Sequence, residues 1–216
     1  MTTTILLIRH GQTDWNAQSR WQGHLDIPLN ETGKAQAQAL AQRLASWPIQ
    51  AVYSSDLQRA AMTAVSLATH LNQQPIFDPL WRERDVGEFG GLTSQEAKER
   101  FPDVWATMKN GLLTPPNGED WQSLRGRAAR AFEQVAARHK GEMVAVVSHG
   151  GTLVNVIGHV LEVPVDRYGR FRLSGNTGLS IVEIIPERGP QLTLLNDTSH
   201  LENHFIPDQP QGTAEI

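Results

Sequence analysis

Cysteine is absent from all 216 residues of this sequence. Its absence excludes disulfide bonds, thiolate nucleophiles and cysteine-ligated zinc. Long apolar runs are missing too, because the aliphatic run nearest the N-terminus, Ile5–Ile8, has only four residues and no basic segment precedes it. The sequence therefore predicts neither a signal peptide nor a membrane span, and it favours a cytoplasmic protein with no membrane partner.

An excess of positive charge is also lacking. The formal net charge is −4 and the isoelectric point is near 6.0, so no overall field would attract nucleic acid. A hydrophobic fraction of 39% predicts one core, and we expect a single domain over residues 1–206. Residues 207–216, rich in polar residues, Pro and Gly, are predicted to be disordered. The sequence is compatible with a monomer or a homodimer.

The most informative segment is an apolar run that delivers polar residues to one point. Ile5–Ile8 is predicted to form a strand buried on both faces, as in a parallel sheet. Arg9 and His10 follow, and Gly11 can bring backbone N–H groups close to a ligand. Residues 12–16 can then begin a helix whose positive end points to the same place. This arrangement predicts an anion site.

Two later apolar runs repeat the arrangement. Residues 51–53 lead to Ser54–Arg59, and residues 143–147 lead to Ser148-His149-Gly150. Arg59 falls in the first turn of a predicted helix, on the face opposite Leu57, where it is either solvated or placed at the ligand end of the sheet. The pattern predicts an α/β fold with a mostly parallel central sheet and helices on both faces.

The remaining elements follow from apolar spacing. Residues 78–120 are irregular and are interpreted as a cap inserted over the site, with one helix starting at the Thr93–Glu96 capping box and extending to about Met108. Four apolar residues of this insertion are candidates for core or for site lining: Trp81, Phe89, Trp105 and Met108. Helices are predicted at about 32–46, 56–71, 121–138 and 152–161, a short strand at 76–77, and a hairpin of 179–185 with 191–195.

Four motifs in this order resemble the histidine phosphatase superfamily, the phosphoglycerate mutase-like phosphohydrolases. The resemblance extends from the first strand to residues 196–201, and so covers nearly the whole chain. The motifs are Arg9-His10-Gly11, Ser54 to Ala60, Glu83 with Gly87 four residues later, and Ser148-His149-Gly150.

The resemblance implies covalent catalysis at His10. The imidazole attacks phosphorus, and water then hydrolyses the phosphohistidine. Phosphoryl transfer needs donors around three equatorial oxygens. The resemblance assigns these to Arg9, Arg59 and a protonated His149, with the amide of Asn16 as a further donor. Because positive side chains replace Mg²⁺ in this family, we expect no metal and no cofactor.

The implied proton donor to the departing alkoxide is Glu83, which then becomes the base that activates water. Spacing alone would make it a surface charge. Arg82 and Arg84 would favour its charged form if they point inward, so the role requires burial or repulsion from the substrate phosphate. Three further residues are implied contacts to the phosphate: Gln22, Gly23 and Gly150.

Departures from the family pattern favour a phosphatase over a mutase. Classical cofactor-dependent mutases have Thr-Gly-Trp where this chain has Gln22-Gly23-His24, and an arginine pair where it has residues 112–116. Those arginines hold the second anionic group of a bisphosphate. We therefore expect a metal-independent phosphomonoesterase for a small phosphorylated metabolite. The alternatives are a phosphoglycerate mutase, a protein-directed phosphohistidine phosphatase and a non-catalytic phosphate-binding module, of which the last would usually have lost His10 or Glu83.

Three other histidines are weaker candidates for a metal ligand or a substrate contact. His200 and His204 have the i, i+4 spacing of a helical metal pair, but neighbouring Asp, Thr and Pro residues argue against a regular helix. His24 is a weaker candidate than Gln22 for contact with substrate.

Overall fold

A six-stranded sheet lies at the centre of the fold in the computed structural model, which describes residues 1–108 and 112–201, with the backbone alone at 168–170. The predicted domain boundary at residue 206 and the tail 207–216 lie outside the described residues. The strands are β1 (Thr3–Arg9), β2 (Ile49–Ser54), β3 (Ile76–Phe77), β4 (Met143–Ser148), β5 (Leu179–Ile185) and β6 (Gly189–Asp197).

The sheet is mostly parallel, as the sequence predicts. Its order is β3-β2-β4-β1-β5-β6, and the first four of these strands run parallel to one another. β5 and β6 add an antiparallel hairpin beside β1. The carboxyl ends of β1, β2 and β4 therefore meet at one edge, which is where open α/β sheets bind their ligands.

Helices cover both faces of this sheet. One face carries α2 and α3, and the other carries α6 and α7. Asn30 caps α2 as predicted, its side chain accepting from the Gly33 N–H. Among residues 1–108 and 112–201, no helix is both long and apolar enough to cross a bilayer. The helices are α1 (Asp14–Ala17), α2 (Glu31–Leu44), α3 (Gln58–His70), α4 (Ser94–Arg100), α5 (Pro102–Ala106), α6 (Trp121–Arg138) and α7 (Gly150–Val160).

β1 shows why the first apolar run is continuous rather than alternating. Ile5 and Leu7 pack into the core beneath α6 and α7, whereas Leu6 and Ile8 pack beneath α2 and α3. All four side chains are fully buried. A strand with a helical layer on each side needs apolar residues at every position, and this confirms the prediction of a strand buried on both faces.

The helix predicted after Thr93 is broken in two. The capping box forms as expected, with the Thr93 hydroxyl accepting from the Glu96 N–H. The helix then ends at Arg100, and Phe101 leaves the helical region with φ −129° and ψ 56°. The expectation of one continuous helix was wrong because Pro102 disfavours helical geometry at the residue before it and starts α5 instead.

The four apolar candidates of segment 78–120 form core rather than site lining. Trp81 is fully buried in the core beneath α6 and α7. Phe89 centres a second small cluster, against which Trp105 and Met108 pack. The candidates Trp81, Phe89, Trp105 and Met108 are thus accounted for by packing. The same segment still borders the site through Glu83 and Ser94.

Candidate active site

His10 lies directly after β1, with its N–H donating to the Ser148 carbonyl at 2.9 Å. Its Nδ1 is 2.6 Å from the Gly11 carbonyl oxygen. A carbonyl can only accept, so Nδ1 carries the proton and Nε2 keeps its lone pair. Burial holds the pKa of His10 well below its usual value, and the positive charges of Arg59 and Arg9 lower it further. The ring is therefore neutral, with Nε2 as the nitrogen able to attack.

The turn after His10 differs from the sequence expectation. The Gly11 N–H donates to the Thr63 hydroxyl at 3.0 Å, so it is committed to the scaffold rather than to a ligand. Glycine is needed here because a Cβ would lie 2.5 Å from the Gly33 carbonyl oxygen. The helix that follows, α1, has four residues, and the Thr13 side chain already caps it. The anion site is built mainly from side chains.

Arg59 is 1% exposed, which excludes the solvated alternative. Its guanidinium donates to the carbonyls of Gly23 at 2.7 Å and Leu25 at 2.9 Å. Burial lowers the pKa of Arg59 to about 10, so it remains a cation at neutral pH. Gly23 therefore holds Arg59 in place through its carbonyl.

His149 is paired with Arg59 close to the nucleophile. Nε of Arg59 donates to Nδ1 of His149 at 3.2 Å, so the neutral His149 ring carries its proton on Nε2. That Nε2 is buried and has no hydrogen-bond partner among the described residues. The ring centroid is 5.1 Å from that of His10.

The expectation of a protonated His149 is not met in this structure. Burial and the charge of Arg59 hold the pKa of His149 well below its usual value. The neutral ring still offers one N–H, which can donate to a phosphoryl oxygen of a bound substrate.

Arg9 is fixed by two backbone carbonyls. Its Nη1 donates to Leu173 at 3.0 Å and to Ser174 at 2.6 Å. The side chain is 9% exposed and lines the cavity together with His10 and Arg59. Two preorganised guanidinium groups thus flank the nucleophile, an arrangement suited to a phosphoryl group.

Glu83 lies at the N-terminus of α7. Its Oε2 accepts from the Gly151 N–H at 3.0 Å, and its Oε1 accepts from the N–H groups of Thr152 at 3.1 Å and Arg84 at 2.8 Å. A Cβ on Gly151 would lie 2.5 Å from Oε1, so glycine makes room for the carboxylate. α7 begins two residues earlier than predicted because this distant carboxylate satisfies its first free N–H groups.

The two arginines flanking Glu83 have partners of their own. Arg82 forms a two-bond ion pair with Asp56, at 2.6 and 2.7 Å, and this lowers the pKa of Asp56. The guanidinium of Arg84 lies 4.0 Å from the Trp121 ring centroid and donates to the Leu113 carbonyl. His24 donates from Nε2 to the Glu83 carbonyl at 2.9 Å, so it supports the chain that carries the carboxylate.

Asn16 and Gln22 complete the floor near His10. The Thr13 N–H donates to Oδ1 of Asn16 at 3.0 Å. This bond assigns the oxygen and the nitrogen of the Asn16 amide, and Nδ2 is then the atom that can donate to a ligand. The Thr13 hydroxyl lies 3.1 Å from Oε1 of Gln22. Gly150, the first residue of α7, has room for a Cβ at 3.6 Å from Nε of Arg9.

A cavity of about 370 Å³ opens above these groups. That volume falls at the low end of the range for small-molecule sites, about 300–1,000 Å³. His149 is fully buried and lies next to two of the lining residues, His10 and Arg59. The predicted residues that line the cavity are Arg9, His10, Asn16, Gln22, Gly23, Arg59, Glu83 and Gly150.

The rest of the wall was not found from the sequence. Trp15, Trp21 and Trp121 line it, and only their closeness in sequence to the implied contacts at Asn16 and Gln22 could have signalled the first two. Three further arginines also line it, of which Arg84 is described above. Arg20 forms an ion pair with Glu96 at 2.7 Å. Arg172 is exposed, and no pattern in the sequence marks it.

Of the two histidines with the spacing of a metal pair, His204 lies outside the described residues. His200 bonds to Arg43 and Thr177. Within the described ranges, no group of three or more His, Asp or Glu side chains is placed to hold a metal ion.

Comparison with known proteins places the chain among phosphate-transfer enzymes. A family model described as histidine phosphatase superfamily, branch 1, matches residues 5–198. A metal-independent phosphoserine phosphatase of Arabidopsis thaliana is 45% identical over 70% of this chain and 66% of its own length, just under two thirds. Phosphoglycerate mutase-like protein 4 of the same plant is 34% identical over 92% of this chain and 86% of its own. The solved structure of Bacillus stearothermophilus YhfR superimposes with a TM-score of 0.85 at 31% identity, over 93% of this chain and 100% of that one.

Proposed function

This chain belongs to the histidine phosphatase superfamily, and from that membership we propose that it hydrolyses small phosphomonoesters through a phosphohistidine on His10. Phosphoric monoester hydrolysis is the activity that the family and the relatives support. The observation that carries the assignment of His10 is its tautomer. With Nδ1 held by the Gly11 carbonyl, the free lone pair is on Nε2, and His10 lines a cavity that Arg9 and Arg59 also line.

In the first step, Nε2 of His10 attacks phosphorus and the bond from phosphorus to the ester oxygen breaks. Arg9, Arg59 and the Nε2–H of His149 donate to the equatorial oxygens, whose charge they offset. Glu83 gives a proton to the departing alkoxide, which leaves as the alcohol.

In the second step, water attacks the phosphohistidine. Glu83 accepts a proton from that water, the bond from nitrogen to phosphorus breaks, and His10 returns to its neutral form. Inorganic phosphate leaves, and Glu83 is again protonated for the next turnover. The backbone N–H groups of Arg84, Gly151 and Thr152 fix the carboxyl group in place through both steps.

For the substrate, we propose a phosphorylated amino or hydroxy acid, with phosphoserine as the first candidate. The name of the Arabidopsis relative supports phosphoserine, and the cavity volume suits a molecule of that size. Arg172 adds a positive group on the cavity wall, apart from the two arginines beside His10. It can donate to the carboxylate of such a substrate.

A mutase is the second candidate, since one relative is named phosphoglycerate mutase-like. Against it stand residues 112–116, which lack the arginine pair. Instead, the Leu113 carbonyl accepts from Arg84 and from the Trp121 indole.

A location in the cytoplasm and the state of monomer or homodimer stay predictions.

A phosphorus NMR time course in EDTA tests the proposal. The protein is mixed with phosphoserine, 3-phosphoglycerate, a trace of 2,3-bisphosphoglycerate and several sugar phosphates. We expect inorganic phosphate to appear as phosphoserine disappears. Formation of 2-phosphoglycerate without free phosphate would instead identify a mutase, and loss of activity on adding EDTA would contradict the metal-independent reaction.

A further inference from the structure

His10 is held by a part of the chain that is remote from it in sequence. The His10 carbonyl accepts from the Asn176 side-chain amide at 3.0 Å and from the Thr177 N–H at 3.3 Å. The N–H on the other side of the same peptide, that of Gly11, donates to Thr63. The peptide plane that follows the nucleophile is therefore fixed at both edges. The Gly11 carbonyl, which orients the imidazole, is the next polar group along the chain.

Thr177 adopts an unfavourable backbone conformation to make this contact. Its φ is +55°, in the left-handed region that β-branched residues rarely enter. Such a conformation persists only where surrounding contacts hold it. Thr177 is fully buried, so those contacts are made inside the protein.

A directed chain of hydrogen bonds holds Thr177. Nη1 of Arg43 donates to Nδ1 of His200 at 3.3 Å, so the neutral His200 ring carries its proton on Nε2. That Nε2 lies 2.9 Å from the Thr177 hydroxyl and donates to it. The hydroxyl in turn donates to the Asn176 carbonyl at 2.7 Å. Every donor in this chain meets an acceptor when His200 is neutral.

The charge environment keeps His200 in the form that the chain requires. Burial and the positive charge of Arg43 lower the pKa of His200 to about 4, although the carboxylate of Asp197 acts in the opposite direction. Asp197 itself forms an ion pair with Arg43, which fixes the guanidinium beside the ring. His200 is thus a neutral donor throughout the physiological range.

We propose that His200 is a positioning residue for the reaction, which holds Thr177 and Asn176 against the His10 carbonyl and so aims the nucleophile. The proposal rests on His10 as the nucleophile. His200 does not line the cavity, and its effect passes through the backbone. We therefore expect it to govern the rate of phosphoryl transfer rather than the binding of phosphate.

The test compares His200→Leu with His200→Gln. The leucine removes the donor, whereas the glutamine side chain can donate to Thr177 and accept from Arg43. With phosphoserine or p-nitrophenyl phosphate, we expect His200→Leu to lower kcat about 10- to 100-fold. The inhibition constant for inorganic phosphate should change less than about 3-fold, and His200→Gln should recover most of kcat.

His139→Leu is the matched control. His139 also pairs with a hydroxyl, that of Tyr53 at 2.8 Å, but it lies outside the cavity wall and outside the contacts of His10. We expect its kcat to match that of the wild type. If His200→Leu fails to fold, Thr177→Val removes the same hydroxyl bond and should give the same loss of kcat.

Three outcomes would overturn the proposal: an unchanged kcat in His200→Leu, an equal loss in His139→Leu, or no recovery in a folded His200→Gln. These differ from failure of the proposed function. In that case the wild type itself would release no phosphate, or His10→Ala would release it at the wild-type rate.

Discussion

Gly151→Ala tests the position of Glu83 without removing its carboxyl group. The new Cβ would lie 2.5 Å from Oε1, whereas an ordinary contact needs at least 3.4 Å, so the carboxylate must move by about 1 Å. That shift would lengthen the 3.0 Å bond from the Gly151 N–H to Oε2. A misplacement of about 1 Å costs on the order of 10²-fold in rate.

The size of the loss depends on the leaving group. The serine alkoxide must be protonated as it leaves, so we expect Gly151→Ala to lower kcat/KM for phosphoserine, which reports formation of the phosphohistidine, about 100-fold. p-Nitrophenolate leaves without a proton, and its kcat/KM should fall by less than about 10-fold. Glu83→Gln should show the same selectivity with a larger loss on phosphoserine, of about 10²- to 10⁴-fold.

Gly126→Ala is the matched control for this assay. Gly126 lies within α6, and the nearest heavy atom to a new Cβ would be Nη1 of Arg130 at 3.8 Å. Alanine should leave kcat unchanged and stabilise the helix by up to ~1 kcal/mol. Steady-state assays on both esters measure the effect. Equal losses of kcat/KM on the two esters would refute the acid role of Glu83, and full activity of Gly151→Ala would refute the placement of its carboxylate.

Two further predictions concern the cavity wall and the buried histidines. Arg172→Ala should raise KM for phosphoserine about 10-fold but leave KM for phosphoethanolamine, which lacks the carboxylate, unchanged. Arg167→Ala is the control. Equal effects of Arg172→Ala on both esters would exclude recognition of the carboxylate. His10, His149 and His200 each have a pKa below the usual 6.5, so the unfolded chain binds more protons in the window below pH 6.5. Their stabilising effect should therefore be complete above that pH and decline towards pH 4. Thermal unfolding should show a shallower decline in His200→Gln than in the wild type and a wild-type decline in the exposed control His70→Gln, and identical slopes in all three would contradict these pKa directions.

The elements around the site could be predicted where local pattern and tertiary packing agree. The apolar run Ile5–Ile8 predicts a strand buried on both faces, and in the fold this strand lies in the sheet between two helical layers. The helix at Trp121–Arg138 has its predicted bounds because Asp120 caps it and its apolar stripe is continuous. In segment 78–120, by contrast, apolar spacing suggested a helix through Phe101, but Pro102 prevents it.

In the candidate site too, some features could be predicted from the sequence and others could not. Arg9, His10, Arg59 and Glu83 could be named from motifs, and they line one cavity. What could not be predicted depends on long-range contacts. The proton on His149 depends on its burial beside Arg59, and the N-terminus of α7 depends on a carboxylate almost 70 positions earlier in the chain. The wall at residues 171–174 is held by Arg9, more than 160 positions earlier, which donates to the Leu173 and Ser174 carbonyls.

The central claim is that phosphate passes through a covalent bond to Nε2 of His10. The most direct test is to mix the protein with phosphoserine in EDTA, quench within milliseconds under alkaline conditions that preserve phosphohistidine, and map the modified peptide by mass spectrometry. We expect one phosphoryl group on the peptide that contains His10 and none on that peptide in His10→Ala. Phosphate release by the wild type with no phosphoryl group on His10 at any quench time would contradict the account.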